Sequence, residues 1–508
     1  MPFNTVLSWF MKKRVHQIDL FRKYPLEVQN EWFHRLIQEG AETSFGKEHG
    51  FDAIQTIEQY KSRVPIRNYD EFRPYIERLR NGEQGVLWPS RVKWFAKSSG
   101  TTSAQSKFIP VTVEALEDCH YKGGKDLLAM FYANHPDARI YAGKHLVMGG
   151  SSKLHSDGDD CYTGDLSAII IKNLPIWVEL KRTPTREIAL MDNWEEKIEK
   201  MALSTMDEDV VMLAGVPSWT LVLLKRIVEL KKANNILDVW PNLQLFMHGG
   251  VSFKPYRSQF EKMIPKEDMH YVETYNASEG FFGIQDRLNS DELLLMLDYG
   301  IFYEFMPMEE FGKPDPQTVQ LEEVVLGKNY AIVITTNAGL WRYLVGDTVR
   351  FTSLSPFRIQ VSGRTRLFIN AFGEELIIEN AEEAMARACE ATGAVVSDFT
   401  ACPVFMTEKE TGAHEWLIEF EQAPADLNVF IDRLDAELMV VNTDYAAKRS
   451  FDLNLRRPIV KVLPSGTFYA WLRSKGKIGG QHKVPRLAND RVHVDEILAF
   501  ASPEAAVL

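Results

Sequence analysis

Val210-Val211-Met212-Leu213-Ala214-Gly215-Val216-Pro217-Ser218-Trp219-Thr220-Leu221-Val222-Leu223-Leu224 is the longest apolar stretch of this 508-residue chain. Gly215, Pro217 and Ser218 interrupt it, so it is too short and too broken to cross a bilayer as one helix. Its two halves read instead as a strand, Val210 to Leu213, and a helix, Trp219 to Lys232. The same alternation extends outward from Ile140 to Thr336. Leu146 to Met148, Ala168 to Ile171, Leu243 to Met247 and Ala331 to Thr335 are expected as strands, and Trp194 to Leu203 as another helix. This pattern predicts an α/β domain. Before it, residues 1 to about 95 read as helical, with Trp32, Phe33, Leu36 and Ile37 at helical spacing and Pro25, Gly46, Pro65 and Pro74 as breaks. After Gly363 the character changes: Glu379 to Thr392 and Leu427 to Val441 carry a helical pattern, and Glu415 to Phe420 alternates like a half-exposed strand. A large α/β domain, 1–366, followed by a smaller α+β domain, 367–508, is therefore expected. Their boundary falls near Gly363-Arg364-Thr365-Arg366, a polar stretch after the strand-like Arg358 to Val361. There is no internal repeat or low-complexity segment.

Composition agrees with packed structure throughout: 45% of residues are hydrophobic and 25% charged. At about 150 residues per domain, two to four domains are expected. The net charge of −12 disfavours a general nucleic-acid or anionic-membrane surface. Cys119, Cys161, Cys389 and Cys402 show no C-x-x-C spacing, which speaks against a disulfide framework or structural zinc and for a reducing compartment. The N-terminus is apolar (Val6 to Phe10) and then basic (Lys12, Lys13, Arg14), the reverse of a signal peptide. A cytoplasmic protein is the expectation.

Three segments carry chemistry. Ser98-Ser99-Gly100-Thr101-Thr102-Ser103 lies between the strand-like runs Val92 to Ala96 and Phe108 to Val111, so a hydroxyl-rich tight turn joins two strands. Gly100 allows close backbone approach, successive N–H groups can form an anion nest, and Lys107 adds a point charge, so the turn suits phosphate. It is not a Walker A loop, and a solvated hairpin turn is the plain alternative. Tyr275-Asn276-Ala277-Ser278-Glu279-Gly280 follows the strand-like His270 to Val272 and sets a carboxylate where the strand is expected to end, the place where α/β sheets collect ligands. Glu279 suits Mg²⁺, which usually takes one or two protein carboxylates and completes its shell with phosphates. A polar helix cap is the alternative there. In Leu340-Trp341-Arg342-Tyr343-Leu344-Val345-Gly346-Asp347 an Asp follows a Gly inside strand-like sequence, where it can accept both hydroxyls of a ribose or serve merely as a turn residue.

In this order the three segments resemble the adenylate-forming superfamily (acyl- and aryl-CoA synthetases, luciferase-like enzymes). More closely, the chain is similar to the auxin-responsive promoter (Gretchen Hagen) family of acyl-acid amido synthetases over roughly residues 15 to 490. That family's Ser-Ser-Gly-Thr and Lys match Ser98 to Thr101 and Lys107. Its Tyr-x-x-Ser-Glu matches Tyr275, Ser278 and Glu279, and its Gly-Leu-Tyr-Arg-Tyr-Arg-x-Gly-Asp appears as Gly339 to Asp347, with Trp341 and Leu344 as replacements. Gly479-Gly480-Gln481-His482-Lys483-Val484-Pro485-Arg486 is similar to the family's Gln-Tyr-Lys-x-Pro-Arg, with His482 in place of Tyr. Without the resemblance it would read as a solvated basic loop. Ser103 and Ala104 stand where related phosphate loops carry glycine, which stiffens the loop.

The resemblance implies an enzyme that binds MgATP and a small carboxylic acid, forms an acyl-adenylate, and passes the acyl group to an amine, an amino acid. Nucleic acid and membrane are not implied as partners. Ser98, Ser99, Gly100, Thr101, Thr102, Lys107, Gly249, Gly250, Tyr275, Asn276, Ala277, Ser278, Asp347 and Arg364 are expected at ATP, with Glu279 as the Mg²⁺ ligand and catalytic with Lys483. The acyl pocket is expected to draw on the helix-like Leu116 to Phe131, where Tyr121, Gly123 and Gly124 sit, on Ser218 and Trp219, and on His248, although Tyr121 and Trp219 read first as core aromatics. The His248-Gly249-Gly250 turn, after a strand and before a helix, would let the backbone approach adenine, whereas Met148 to Ser152 reads as a plain turn. The smaller domain is expected to swing about residues 363–366 between half-reactions. The same residues would serve a ligase handing the acyl group to coenzyme A. A non-catalytic nucleotide-binding protein is a third reading, against which Glu279, Asp347 and Lys483 together weigh.

Overall fold

The computed structural model describes residues 2–98, 107–149, 155–156, 160–191, 193–250, 253, 256–365, 368–369, 374, 376–405, 412–442, 445–446, 449, 455–476, 483–488 and 490–501. The chain forms two compact units. The first comprises Met1–Phe253, Ser258–Gln360 and Gly479–Gln481, and the second Lys254–Arg257, Val361–Ile478 and His482–Leu508. No described helix is long and apolar enough to cross a membrane.

The first unit opens with the helices Pro2–Lys23, Pro25–Gly40, Ser44–His49, Ile57–Arg63 and Tyr69–Arg80. Pro25 starts the second of these at the position where its missing N–H costs nothing. Asn68 and Glu71 close a capping box on the last. Gly46 and Pro74 do not break helices as expected. Gly46 is needed inside its helix because a Cβ there would lie 2.1 Å from the Gly40 carbonyl oxygen. Pro74 sits within a helix whose start the capping box secures.

The strands of the α/β region are, in chain order, β1 (Trp94–Ser98), β2 (Lys107–Val111), β3 (Lys144–Val147), β4 (His155–Ser156), β5 (Tyr162–Gly164), β6 (Arg182–Thr183), β7 (Val210–Gly215), β8 (Leu245–Gly249), β9 (His270–Ala277), β10 (Gly280–Ile284), β11 (Leu293–Leu295), β12 (Ile301–Pro307), β13 (Asn329–Thr336), β14 (Tyr343–Leu354) and β15 (Phe357–Arg364). Eleven of them form one sheet in the order β12-β13-β14-β15-β11-β10-β9-β8-β7-β3-β6, and β2-β1-β5-β4 form another. In the large sheet β6, β3, β7, β8 and β9 run parallel, and from β9 through β10 and β11 to β15 the neighbours are antiparallel, as are β12, β13 and β14. The opening apolar stretch divides as read, into β7 and the helix Pro217–Lys231. Ala168 to Ile171 does not form a strand. It lies in the helix Leu166–Lys172, which buries Leu166, Ala168, Ile169 and Ile171, and a four-residue apolar run carries no period that separates the two cases. The polar Gly363-Arg364 is not a linker in conformation either, since β15 continues to Arg364.

Arg342 ties the helical opening to the large sheet. Its Nε and Nη2 donate to Glu304 Oε2 and Oε1 of β12, both at 2.9 Å, and its Nη1 donates to the carbonyls of Val64 (2.7 Å) and Lys61 (3.1 Å) behind the helix Ile57–Arg63. Arg342 is 5% exposed and Glu304 1%, so every donor must find a protein acceptor. Around this pair Arg67 N donates to Arg342 O, and Leu344 N to Arg67 O, fixing where β14 begins.

The second unit holds the hairpin β16 (Phe368–Ile369) and β17 (Leu376–Ile377), and a three-stranded sheet of β18 (Val395–Val404), β19 (Ala413–Gln422) and β20 (Ile459–Leu463). The helices Ile378–Thr392 and Leu427–Val441 cover one face, packing Met385 and Leu434 with Trp416 and Ile418. On the other, Phe468, Trp471, Val494 and Ile497 pack with Leu417 and Leu463. Glu415 to Phe420, expected half-exposed, is thus buried on both faces. Its polar positions are carboxylates with built-in partners: Glu415 meets Arg491 at 2.6 Å and Lys461 at 2.9 Å, and Glu419 accepts from Gly466 N and Phe468 N.

Breaking the Arg342 tie tests its weight. Glu304→Ala strands a buried guanidinium, and we expect a loss of about 3–5 kcal/mol, read as a shift of the urea midpoint. A loss under about 1 kcal/mol, typical of exposed pairs, would show that the pair contributes no more than a surface contact.

Candidate active site

β9 does not stop after Val272. It runs to Ala277, which pairs with Gly280 of β10, so Ser278 and Glu279 form a two-residue hairpin turn and no helix is there to cap. Tyr275, Asn276 and Ala277 are thereby strand residues, and Glu279 is held at a turn whose register both strands set. Tyr275 points inward and its hydroxyl donates to Asp347 Oδ2 at 2.7 Å. Asp347 lies within β14, beside an irregularity in the pairing with β13 where Gly346 takes φ +94°. Such a bulge re-aims the side chain that follows. Asp347 is thus a buried strand residue rather than a turn tip.

Tyr343, at the head of the same strand and fully buried, brings the segments together. Its hydroxyl faces Glu279 Oε1 at 3.4 Å. Burial foremost, and then the charge of Glu279, holds its phenol well above the usual tyrosine range, so it stays a neutral donor. Tyr69, which also acts on Tyr343, accepts a 2.8 Å bond from Phe108 N of β2, and Lys107 Nζ stands 5.9 Å from the Tyr69 ring. The β1–β2 hairpin is therefore anchored to Tyr69, whose phenol lies near Tyr343. Ser98 and Lys107 are paired at its ends. Ser99, Gly100, Thr101 and Thr102, with Ser103 and Ala104, lie outside the described residues, as does the side chain of Ser98.

The candidate acyl-pocket residues have mixed placements. Leu116–Tyr121 forms a π-helical turn that runs into the helix Lys122–Asn134, a feature frequent at functional sites. The Tyr121 hydroxyl is buried with no hydrogen-bond partner among the described residues, and burial pushes its phenol up to about 12. His120, to which the sequence pattern assigned no role, is buried and hydrogen-bonded to Asn276, and burial lowers its imidazole to about 4. Its place beside Tyr121, in the segment expected to wall the acyl pocket, was the available signal. Cys119 Sγ accepts from Phe281 N at 3.1 Å, and a Cβ on Gly123 would meet the Phe281 ring at 2.6 Å, so this helix is pinned to β10. His248 and Gly249 end β8 rather than form a turn. The His248 ring stacks on Phe253 at 4.2 Å, and Gly249 is needed because a Cβ would lie 2.5 Å from Thr274 O. Gly250, at φ +78°, comes next, at the carboxyl end of the parallel strands. Trp219 is half-buried on the helix Pro217–Lys231, and the Ser218 side chain lies outside the described residues.

The chain matches the GH3 family N-terminal domain over residues 14–269, its central domain over 294–364 and its C-terminal domain over 379–492. The chain belongs to the GH3 family. Its relatives include indole-3-acetic acid-amido synthetase GH3.4 of Arabidopsis thaliana, 23% identical over 93% of this chain and 91% of that one. Among solved structures, AtGH3.15 acyl acid amido synthetase in complex with 2,4-DB superposes with a TM-score of 0.79 at 18% identity, over 97% of this chain and 96% of that one. A 2-hydroxyisobutyryl-CoA ligase in the postadenylation state superposes at 0.54 and 12% identity, over 93% and 91%. The fold is that of the adenylate-forming enzymes.

The two replacements within the GH3 segment Gly339 to Asp347 fall on the packing side. Trp341 is fully buried, donates Nε1 to Leu87 O at 3.0 Å and meets Phe51 edge-on at 4.8 Å. Leu344 packs with Met306, Ala331 and Val333, in the alternate position to Tyr343. Arg364 and Lys483 belong to the second unit. The Arg364 side chain and residues 479–482 lie outside the described residues, and Lys483 is exposed.

His120 makes a pH test possible. Its folded pKa of about 4 lies below the unfolded value near 6.5, so the neutral form is preferred on folding. The stability it permits is full above about pH 6.5 and is lost as pH falls toward 4, by at most about 3 kcal/mol. We expect His120→Gln to lose less stability than wild type between pH 7 and pH 4.5 in urea melts. Parallel losses in the two proteins would mean that folding does not shift the His120 pKa.

Proposed function

We propose that this chain is an ATP-dependent acid–amino acid ligase that works through an acyl-adenylate. The observation that carries the reading is the gathering by three tyrosines of a ribose-type acceptor, Asp347, on Tyr275, a metal-type carboxylate, Glu279, on Tyr343, and the hairpin bearing Lys107 on Tyr69. The GH3 relatives named as amido synthetases support an amine as acceptor. In the first half-reaction the substrate carboxylate oxygen attacks the α-phosphorus, the bond to the β-phosphate oxygen breaks, and pyrophosphate leaves. In the second, the amino-acid amine attacks the acyl carbon, its proton passes to solvent, and AMP leaves.

Asp347, oriented by the Tyr275 hydroxyl, accepts the ribose hydroxyls. Ser98, Ser99, Gly100, Thr101, Thr102 and Lys107 hold the phosphates. Asn276, Ala277, Ser278, Gly249 and Gly250 line the nucleotide, and Arg364 is a further nucleotide-binding residue. Tyr121, Ser218, Trp219 and His248 border the acid. Glu279 suits Mg²⁺, because a hard cation takes carboxylate oxygen and completes its shell with phosphates; the ion would neutralise phosphate charge. Lys483 stabilises charge as it develops on the transferring phosphoryl group. Residues 363–366 serve as the hinge between half-reactions. The cytoplasm, which supplies ATP and keeps thiols reduced, suits a chain whose four cysteines form no disulfide.

The test is ATP–pyrophosphate exchange dependent on an added carboxylic acid, followed by amines and coenzyme A offered to the same adenylate. Exchange with amide formation supports the proposal, thioester formation replaces the acceptor, and no exchange with any acid removes the reading. Two substitutions address individual roles. Asp347→Ala is expected to weaken ATP binding roughly 10- to 100-fold, the worth of hydrogen bonds to a charged acceptor, while a 2′,3′-dideoxy analogue binds wild type and variant about equally. A variant that still prefers the ribose diol would demote Asp347 to a packing residue. Glu279→Gln keeps shape and removes charge, so the Mg²⁺ concentration for half-maximal adenylation should rise steeply at an unchanged melting temperature. Superimposable Mg²⁺ curves would withdraw the metal assignment.

A further inference from the structure

We propose that Thr400, Asp398 and Arg486 form a clamp that positions Lys483 for adenylation, an inference that rests on the role given to Lys483 above. Lys483 is exposed, whereas each of the next four residues is held in place. Val484 is 4% exposed and packs with Leu417, Phe468 and Trp471. Pro485 has no N–H to satisfy and a restricted φ, and its carbonyl accepts a 2.5 Å bond from Thr400 Oγ1. The carbonyl of Arg486 accepts from Ala401 N at 2.9 Å, and Ala488 N donates to Ala401 O at 3.1 Å, so Leu487 adds a one-residue parallel bridge to β18. Arg486 folds back over the Phe399 ring at 4.5 Å, with Nη1 donating to the Asp398 carboxylate and to Phe399 O at 2.9 Å, and with Glu382 at 3.8 Å.

Asp398 and Thr400 sit two apart on β18 and so present side chains to the same side, which is how one strand reaches two successive residues of the arm. A lysine on a flexible four-carbon stem loses much rotamer freedom when it is placed, and fixing the backbone just behind it lowers the entropy still to be lost in the transition state. The clamp residues need not touch the reacting atoms. They are positioning residues acting through Lys483, and that distinguishes them from residues that merely stabilise the second unit.

The experiment is a double-mutant cycle on the two half-reactions. Thr400→Val replaces a hydroxyl by a methyl and is the variant least able to disturb folding, and Arg486→Lys keeps the charge but loses the planar fork. We expect adenylation, followed as acid-dependent pyrophosphate release, to fall roughly 3- to 10-fold in Thr400→Val and roughly 10- to 100-fold in Arg486→Lys. Amide formation from synthetic acyl-adenylate should stay within about twofold. Combined with Lys483→Ala, either substitution should cost no more than about a further twofold, since its effect runs through the missing lysine. Losses that multiply in the double variants, or that strike both half-reactions together with a lowered melting temperature, would overturn the clamp. If Lys483→Ala is slow in adenylation but both clamp variants are as fast as wild type, only the clamp falls. If Lys483→Ala adenylates like wild type, the role of Lys483 fails first and the clamp with it.

Discussion

The arrangement of the first unit depends on one buried guanidinium. Arg342 must place its donors in a region without water, and it does so on acceptors from three separate parts of the chain: Glu304 on β12, the carbonyls of Lys61 and Val64 behind an early helix, and Thr318 at 3.2 Å. A buried charge of this kind tolerates little displacement, because removing any partner exposes the full desolvation cost. Arg342 therefore fixes the start of β14. From that start the period of a strand decides that Tyr343 faces the site and Leu344 does not, and the bulge at Gly346 decides where Asp347 is aimed.

Two pairs of carboxylates in the first unit differ in the donors that reach them. Glu304 and Asp286 are buried against guanidinium forks, Arg342 for the one and Arg358 with Arg22 for the other. Those contacts cancel charge and join elements. Asp347 and Glu279 instead receive phenol hydroxyls, from Tyr275 and Tyr343. A phenol orients a carboxylate without itself bringing a charge. The high phenol pKa of Tyr343 belongs to the same arrangement, since a phenolate could not donate.

Much was legible from local pattern. The division of Val210 to Leu224, the helices Trp194–Thr205 and Leu427–Val441, and the strands on either side of residues 99–106 were read with boundaries within a few residues of those observed. What failed, failed for want of a partner to read against. Ala168 to Ile171 offered apolar character without a period. Glu415 and Glu419 looked like solvent-facing positions because the arginine, lysine and backbone N–H groups that meet them lie far downstream, at Arg491, Lys461 and Gly466. His120 was overlooked because nothing local links it to Asn276, which lies in another element.

Sequence alone determined the class of the fold, the order of the motifs and the family, because alternation of period and the chemistry of Gly, Ser, Glu, Asp and Lys at fixed spacings are local properties of the chain. Tertiary structure alone decided that Tyr275 belongs with Asp347, that Tyr343 belongs with Glu279, and that Trp341 and Leu344 are packing residues. It alone decided that Thr400 and Arg486 hold the arm behind Lys483. Hydrogen bonds between residues 64 to 88 positions apart leave no periodic trace, and which of several chemically equal tyrosines or carboxylates is buried beside which is settled only when the desolvation of each must be answered in three dimensions.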